Sequence, residues 1–126
     1  MKTILVVEDS STVRQSLCQA LQSKGYQTLG AGSSLEAYEM LWYYSGDISL
    51  VLSDVEMDDI YGFDLLKTVK SYPGLSEIPV VLWTNNNRPA SRGSRSRSPK
   101  SFGTEKFFKS IDQAMRVKGC MVNLVS

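Results

Sequence analysis

Four positions in this chain combine acidic or hydroxyl groups with an otherwise apolar setting. Glu8 and Asp9 follow the run Ile4–Val7, Asp54 closes the run Ile48–Ser53, and Thr84 closes the run Val80–Trp83. Brought together, three carboxylates repel strongly: a pair at ~4 Å costs about 4 kcal/mol at an effective dielectric of 20. Such a cluster takes up a proton or holds a cation. Oxygen-only ligands suit Mg²⁺. A carboxylate beside Mg²⁺ is a competent nucleophile toward phosphorus, which would give an aspartyl-phosphate, and the cation would neutralise charge on the transferring group. A hydroxyl such as that of Thr84 would bind a phosphoryl oxygen. Any one of these residues alone reads as a loop or cap residue; their joint placement after three separate apolar runs points to a site.

The elements that must position them follow from periodicity. Ile4–Val7 reads as a strand buried on both faces. Val13, Leu17 and Leu21 recur every four residues, giving a helix that ends at Gly25; Ser10, Ser11 and Thr12 offer caps at its start, and Thr12 and Gln15 fit the capping-box spacing. Tyr26–Ala31 reads as an edge strand. Ser33 and Glu36 form a second capping box, opening a helix with Leu35, Tyr38 and Leu41 inward, and Trp42 is expected in the core beside them. Ile48–Ser53 is the next strand. A third helix starts at Gly62, with Phe63, Leu66 and Val69 inward, and Pro73-Gly74 ends it; Val80–Trp83 follows as a strand. The order βαβαβαβ implies a parallel sheet wrapped by helices on both faces, with ligands bound at the carboxyl ends of the strands.

The pattern breaks at Asn85. Residues 85–101 contain one apolar residue, Ala90, among five Ser, four Arg and three Asn, so no helix face exists there. The expectation is a basic Ser/Arg-rich loop, since this composition cannot offset the ordering entropy of about 1–2 kcal/mol per residue. Residues 102–118 are expected to carry a weak fifth strand over Phe102–Phe108 and a short helix over Ile111–Val117. Charge changes at the same place: residues 1–84 carry 5 Lys/Arg against 11 Asp/Glu, and residues 85–126 carry 9 against 2. The change at Asn85 also fits a shifted reading frame, which resequencing the coding DNA tests.

Composition excludes several classes. With 126 residues the chain reads as one domain. No histidine is present and there are two cysteines, so histidine-based catalysis and a zinc site are out. The apolar run after the start is too short for a signal peptide, and nothing spans a bilayer, so a cytoplasmic protein with no membrane contact is expected. "RGSRSRSPK" is a single short basic run, read as solvated rather than as a nucleic-acid contact.

"ILVVEDSSTVRQSL", "LVLSDVEMDDIYGFDLL" and "IPVVLWT" closely resemble the receiver domain of two-component response regulators, over residues 1–84 and including the spacing from Asp54 to Thr84. The resemblance implies a flavodoxin-like doubly wound α/β sheet in strand order 2-1-3-4-5, here with the fourth helix missing from 85–101. It implies a stand-alone regulatory module rather than an enzyme, phosphorylated by a histidine kinase or phosphotransfer protein and passing the signal to a downstream protein partner. By position, Asp54 would be the phosphoacceptor and Glu8 and Asp9 the metal-binding acids. The backbone carbonyl of Glu56 would complete the Mg²⁺ ligands, and Thr84 would be the switch hydroxyl. The family's lysine, which follows its fifth strand, would be Lys109, with Lys106 the alternative, and its switch aromatic would be Phe107 or Phe108. Asn85 and Asp58 stand where the family usually has a small residue and a proline. These departures keep a second reading open, a pseudo-receiver that binds partners without phosphate. An Asp-nucleophile phosphatase of the haloacid-dehalogenase type is disfavoured, because "VVEDSST" lacks the Asp-x-Asp it needs after the first strand.

Overall fold

The computed structural model describes residues 2–44, 46–54, 62–84, 105–117 and 121–125. Its elements alternate: β1 (Thr3–Val7), α1 (Ser11–Ser23), β2 (Gln27–Ala31), α2 (Ser34–Tyr43), β3 (Ile48–Asp54), α3 (Gly62–Ser71), β4 (Val80–Thr84), α4 (Glu105–Ala114) and β5 (Met121–Val125). All five strands pair in parallel, in the order β2-β1-β3-β4-β5. This is the parallel sheet expected from the alternation, in the flavodoxin-like strand order that the resemblance implied.

Each strand feeds both faces, as the period of two requires. Leu5, Val7, Val51, Val80 and Leu82 pack against Ala37 and Leu41 of α2 and Val69 of α3. Ile4, Val6, Leu50, Leu52, Val81 and Trp83 pack on the other face against Leu17 and Leu21 of α1 and Phe107, Ile111 and Ala114 of α4. Among the described residues no helix is long and apolar enough to cross a membrane.

Helix boundaries have local causes. Ser10, rather than Thr12, caps α1: its hydroxyl accepts from the Val13 N–H at 3.3 Å. At the other end Gly25 takes φ +96°, Tyr26 N–H donates to Leu21 O and Gly25 N–H to Gln22 O, a Schellman arrangement. Ser33 caps α2 as expected, accepting from Glu36 N–H at 3.1 Å. The Glu36 carboxylate does not return to Ser33, as a capping box would have it; it accepts from the Gly32 N–H at 2.6 Å. The buried stripe of α2 is Ser34, Ala37 and Leu41, which rotates Leu35 and Trp42 outward to 64% and 61% exposure. Trp42 rests edge-on against Tyr72 at 5.3 Å instead of entering the core.

The second half departs most from expectation. Residues 85–101 lie outside the described residues. Residues 105–114, expected to divide between a strand and a helix, form the single helix α4, and the fifth strand lies further on at Met121–Val125. The physical reason is a helical stripe: Phe107, Ile111 and Ala114, at spacings of four and three, are all buried. That stripe closes over Val81 and Trp83 on the α1 face. The helix of the crossover β3–α3–β4 packs on the opposite face, through Val69. A 20-residue connection from β4 to α4 is long enough to reach either face. Ile111→Ala, which empties the centre of this contact, is expected to cost about 3 kcal/mol in urea denaturation; a loss under about 0.5 kcal/mol would show that α4 does not hold the α1 face closed.

Candidate functional site

The sheet register builds the site. Val7 of β1 lies beside Ser53 of β3, and Asp54 beside Trp83 of β4. The residue that follows β1 therefore meets the last residue of β3, and Glu8 and Asp54 come together at the carboxyl edge. Both are 1% exposed; Asp9 is half-buried. One carboxylate oxygen from each of Glu8, Asp9 and Asp54 lies within 4.8 Å of the others. The structure thus joins the three acids that the sequence placed after separate apolar runs.

Backbone contacts fix this corner. Glu8 N–H donates to Ala31 O at 3.0 Å, extending the β1–β2 ladder by one step. Ser10 N–H donates to Glu8 Oε2 at 3.0 Å, and Arg14 Nη1 donates to Glu8 O at 2.7 Å. The Ser53 hydroxyl donates to Asp54 O at 3.0 Å. Burial pushes the Glu8 carboxyl up to about 9, and the hydrogen bond and charge of Asp54 push the same way; only the Ser10 N–H favours the ionised form. Without a cation, burial and Asp54 therefore favour the neutral form of Glu8. A donor set of carboxylate oxygens that must store a proton to coexist is the chemistry that a hard divalent cation relieves.

The other expected site residues fall differently. Thr84 is the last residue of β4, one place past the register partner of Asp54, and pairs with Val125 of β5. Glu56 lies outside the described residues. Lys106 and Lys109 are exposed on α4 and precede β5, so neither follows a fifth strand, and neither is ion-paired with Asp54. Phe107 is buried beneath α4, and Phe108 lies under the Lys24 ammonium, 5.0 Å from Nζ. Lys24 caps the end of α1 remote from Ser10. Of the strand expected over Phe102–Phe108, the described part, from Glu105 on, belongs to a helix instead: burial of Phe107, Ile111 and Ala114 at helical spacing determines it. Arg14 stands within the run "ILVVEDSSTVRQSL" but was given no role there; Gly30 and Gly32, which flank Ala31, are its neighbours in the fold.

A parallel 2-1-3-4-5 sheet with an acidic cluster at its carboxyl edge defines a class of small α/β regulatory domains. Residues 4–95 match the response regulator receiver domain, and the chain belongs to that family. It is 35% identical over 88 residues to chemotaxis protein CheY1 of Helicobacter pylori, covering 69% of this chain and 70% of that one. It is 30% identical over 119 residues to the DNA-binding transcriptional regulator NtrC of a Bradyrhizobium strain, covering 90% of this chain but 24% of that regulator's length. Among solved structures, the response regulator TrrA of Thermotoga maritima, in complex with Mg²⁺ and BeF, superposes with a TM-score of 0.70. Its identity is 26%, and the match covers 90% of this chain and 99% of that one.

Proposed function

We propose that this receiver domain accepts a phosphoryl group on Asp54, with Mg²⁺ held by Glu8, Asp9 and Asp54 and by the backbone carbonyl of Glu56. The observation that carries the reading is the convergence of three carboxylate oxygens within 4.8 Å at the strand ends, two of the acids buried. Bound there, Mg²⁺ would supply charge neutralisation for the transferring phosphoryl group.

The chain's own residues do the rest. Asp54 supplies the nucleophile: a carboxylate oxygen forms a bond to phosphorus as the bond from phosphorus to the donor's leaving atom breaks, and the leaving group keeps the electron pair. The Glu8 backbone, pinned by Ala31 and Arg14, holds its carboxyl beside Asp54. Ser10 N–H holds one Glu8 oxygen in place. Thr84, at the end of the neighbouring strand, is the proposed switch hydroxyl. The phosphoryl donor is a histidine kinase or phosphotransfer protein, and the output is altered binding to a partner protein. In this reading the domain regulates and catalyses nothing beyond its own modification.

The pseudo-receiver remains as a second reading because Lys106 and Lys109 stand on α4 and off any strand end. One experiment separates them. Incubation with acetyl phosphate and Mg²⁺ should add the mass of one phosphoryl group to the intact protein, and chelating the metal should abolish the adduct. Absence of both the adduct and Mg²⁺ binding would sink the phosphoryl reading and leave the interaction module.

A further inference from the structure

We propose that Arg14 is a positioning residue for the metal site, locked between the end of β2 and the backbone of Glu8. The inference rests on the Mg²⁺ reading above and adds to it a residue outside the acid cluster.

Arg14 lies in the first turn of α1 and is half-buried. Its Nη1 donates to the carbonyl of Glu8 at 2.7 Å, a short, charge-assisted bond to the peptide that links two of the three acids. The same side chain lies against glycine. A methyl group on Gly30 would sit 3.3 Å from Arg14 Cδ, and one on Gly32 would sit 3.0 Å from Nη1 and 3.6 Å from Cζ, with Glu36 Oε1 in ordinary contact at 3.4 Å. Neither glycine has the positive φ that would require glycine for backbone reasons; of the described glycines only Gly25 does. What these two positions need is space, and the arginine takes that space. The Gly32 backbone is itself held, its N–H donating to Glu36 Oε1 at 2.6 Å. The side chain thus lies against Gly30 and Gly32 and ends on Glu8 O.

Glu8 is therefore gripped at both ends of its backbone. Its N–H is held by Ala31, the residue between the two glycines, and its carbonyl by Arg14, which lies against them. Freeing the carbonyl lets the Glu8–Asp9 peptide rotate, and with it the directions of two carboxylates. Groups that orient metal ligands without touching the metal cost about tenfold in affinity when removed.

Arg14 also brings a positive charge, whose removal by itself favours a divalent cation. Arg14→Ala mixes the two effects. Gly32→Ala does not: the charge stays and the added methyl, 3.0 Å from Nη1, forces the guanidinium end to give by a few tenths of an ångström, which strains its 2.7 Å bond to Glu8 O. Mg²⁺ affinity is therefore measured by calorimetry for wild type, Gly32→Ala, Arg14→Ala and the double variant. Gly32→Ala is expected to weaken Mg²⁺ binding about tenfold in the wild-type background and to change nothing when Arg14 is already alanine. Amide hydrogen exchange in metal-free protein supplies a second readout: Glu8 N–H should exchange faster in both single variants, while Val6 N–H, inside β1, does not. Equal effects of Gly32→Ala in both backgrounds, or unchanged Glu8 exchange, would overturn the role of Arg14. A wild type that binds no Mg²⁺ would instead refute the metal site, and the exchange rates would still decide whether Arg14 pins Glu8.

Discussion

Asp54→Asn is expected to accept no phosphoryl group from acetyl phosphate at any Mg²⁺ concentration, and to melt at a higher temperature than wild type in metal-free buffer. The first effect follows from chemistry. An amide oxygen is a poor nucleophile toward phosphorus, and the other carboxylates of the cluster follow β1 instead of closing β3. The second follows from crowding. Glu8 and Asp54 are both 1% exposed and share a cluster that spans 4.8 Å. Two full charges at ~4 Å would cost about 4 kcal/mol at an effective dielectric of 20. The proton on Glu8 already removes most of that cost, so the variant should gain about 1 kcal/mol, or about 4 °C for a domain of this size. Intact-mass measurement reads the first effect and scanning calorimetry the second. A phosphoryl adduct on Asp54→Asn would move the acceptor to another residue. A lower melting temperature in metal-free buffer would show that Asp54 is better satisfied in the fold than crowding allows.

Metal-free stability should fall as the pH rises from about 4.5 toward 9, and saturating Mg²⁺ should remove that fall. Glu8 titrates at 4.5 when solvated and near 9 in the fold, with burial the largest cause and Asp54 next. Its folded value is the raised one, so between these two pH values the native state binds the proton that the unfolded chain releases. Stability from this group is then complete below about 4.5 and is lost progressively as the pH approaches 9. A cation in the cluster reverses the preference by stabilising the ionised form. Binding of Mg²⁺ at neutral pH should accordingly expel close to one proton, and affinity should rise about tenfold per pH unit through the interval. Titration calorimetry in two buffers of different ionisation enthalpy counts the proton. A count near zero at neutral pH would mean that Glu8 is already ionised, and the proposed storage of a proton would fail.

Much of the first half was legible because its signals are local. A run of β-branched and aliphatic residues followed at once by an acid or hydroxyl, as in Ile4–Asp9 and Ile48–Asp54, states both a buried strand and what stands at its end. Parallel pairing then requires those ends to share an edge. Trp42 was not legible, because aromatic content does not say which stripe of a ten-residue helix faces the sheet; Ala37 and Leu41, one turn apart, took that place. The setting of Lys106 and Lys109 was not legible for a related reason: "EKFFKSIDQA" reads as a strand end if the family's closing motif is sought in it, and as a helix if burial at 107, 111 and 114 decides.

The sequence by itself determined the alternation through Thr84, the parallel sheet and the three acids at its carboxyl edge, because a strand's apolar run and its terminal residue are contiguous in the chain. The tertiary structure decided which face α4 covers, that β5 lies at Met121–Val125, and that Arg14 reaches Glu8 across the end of β2. Those outcomes depend on surfaces contributed by segments far apart in sequence. An apolar stripe states that a helix will be buried; only the opposing surface, here α1 with Val81 and Trp83, states where.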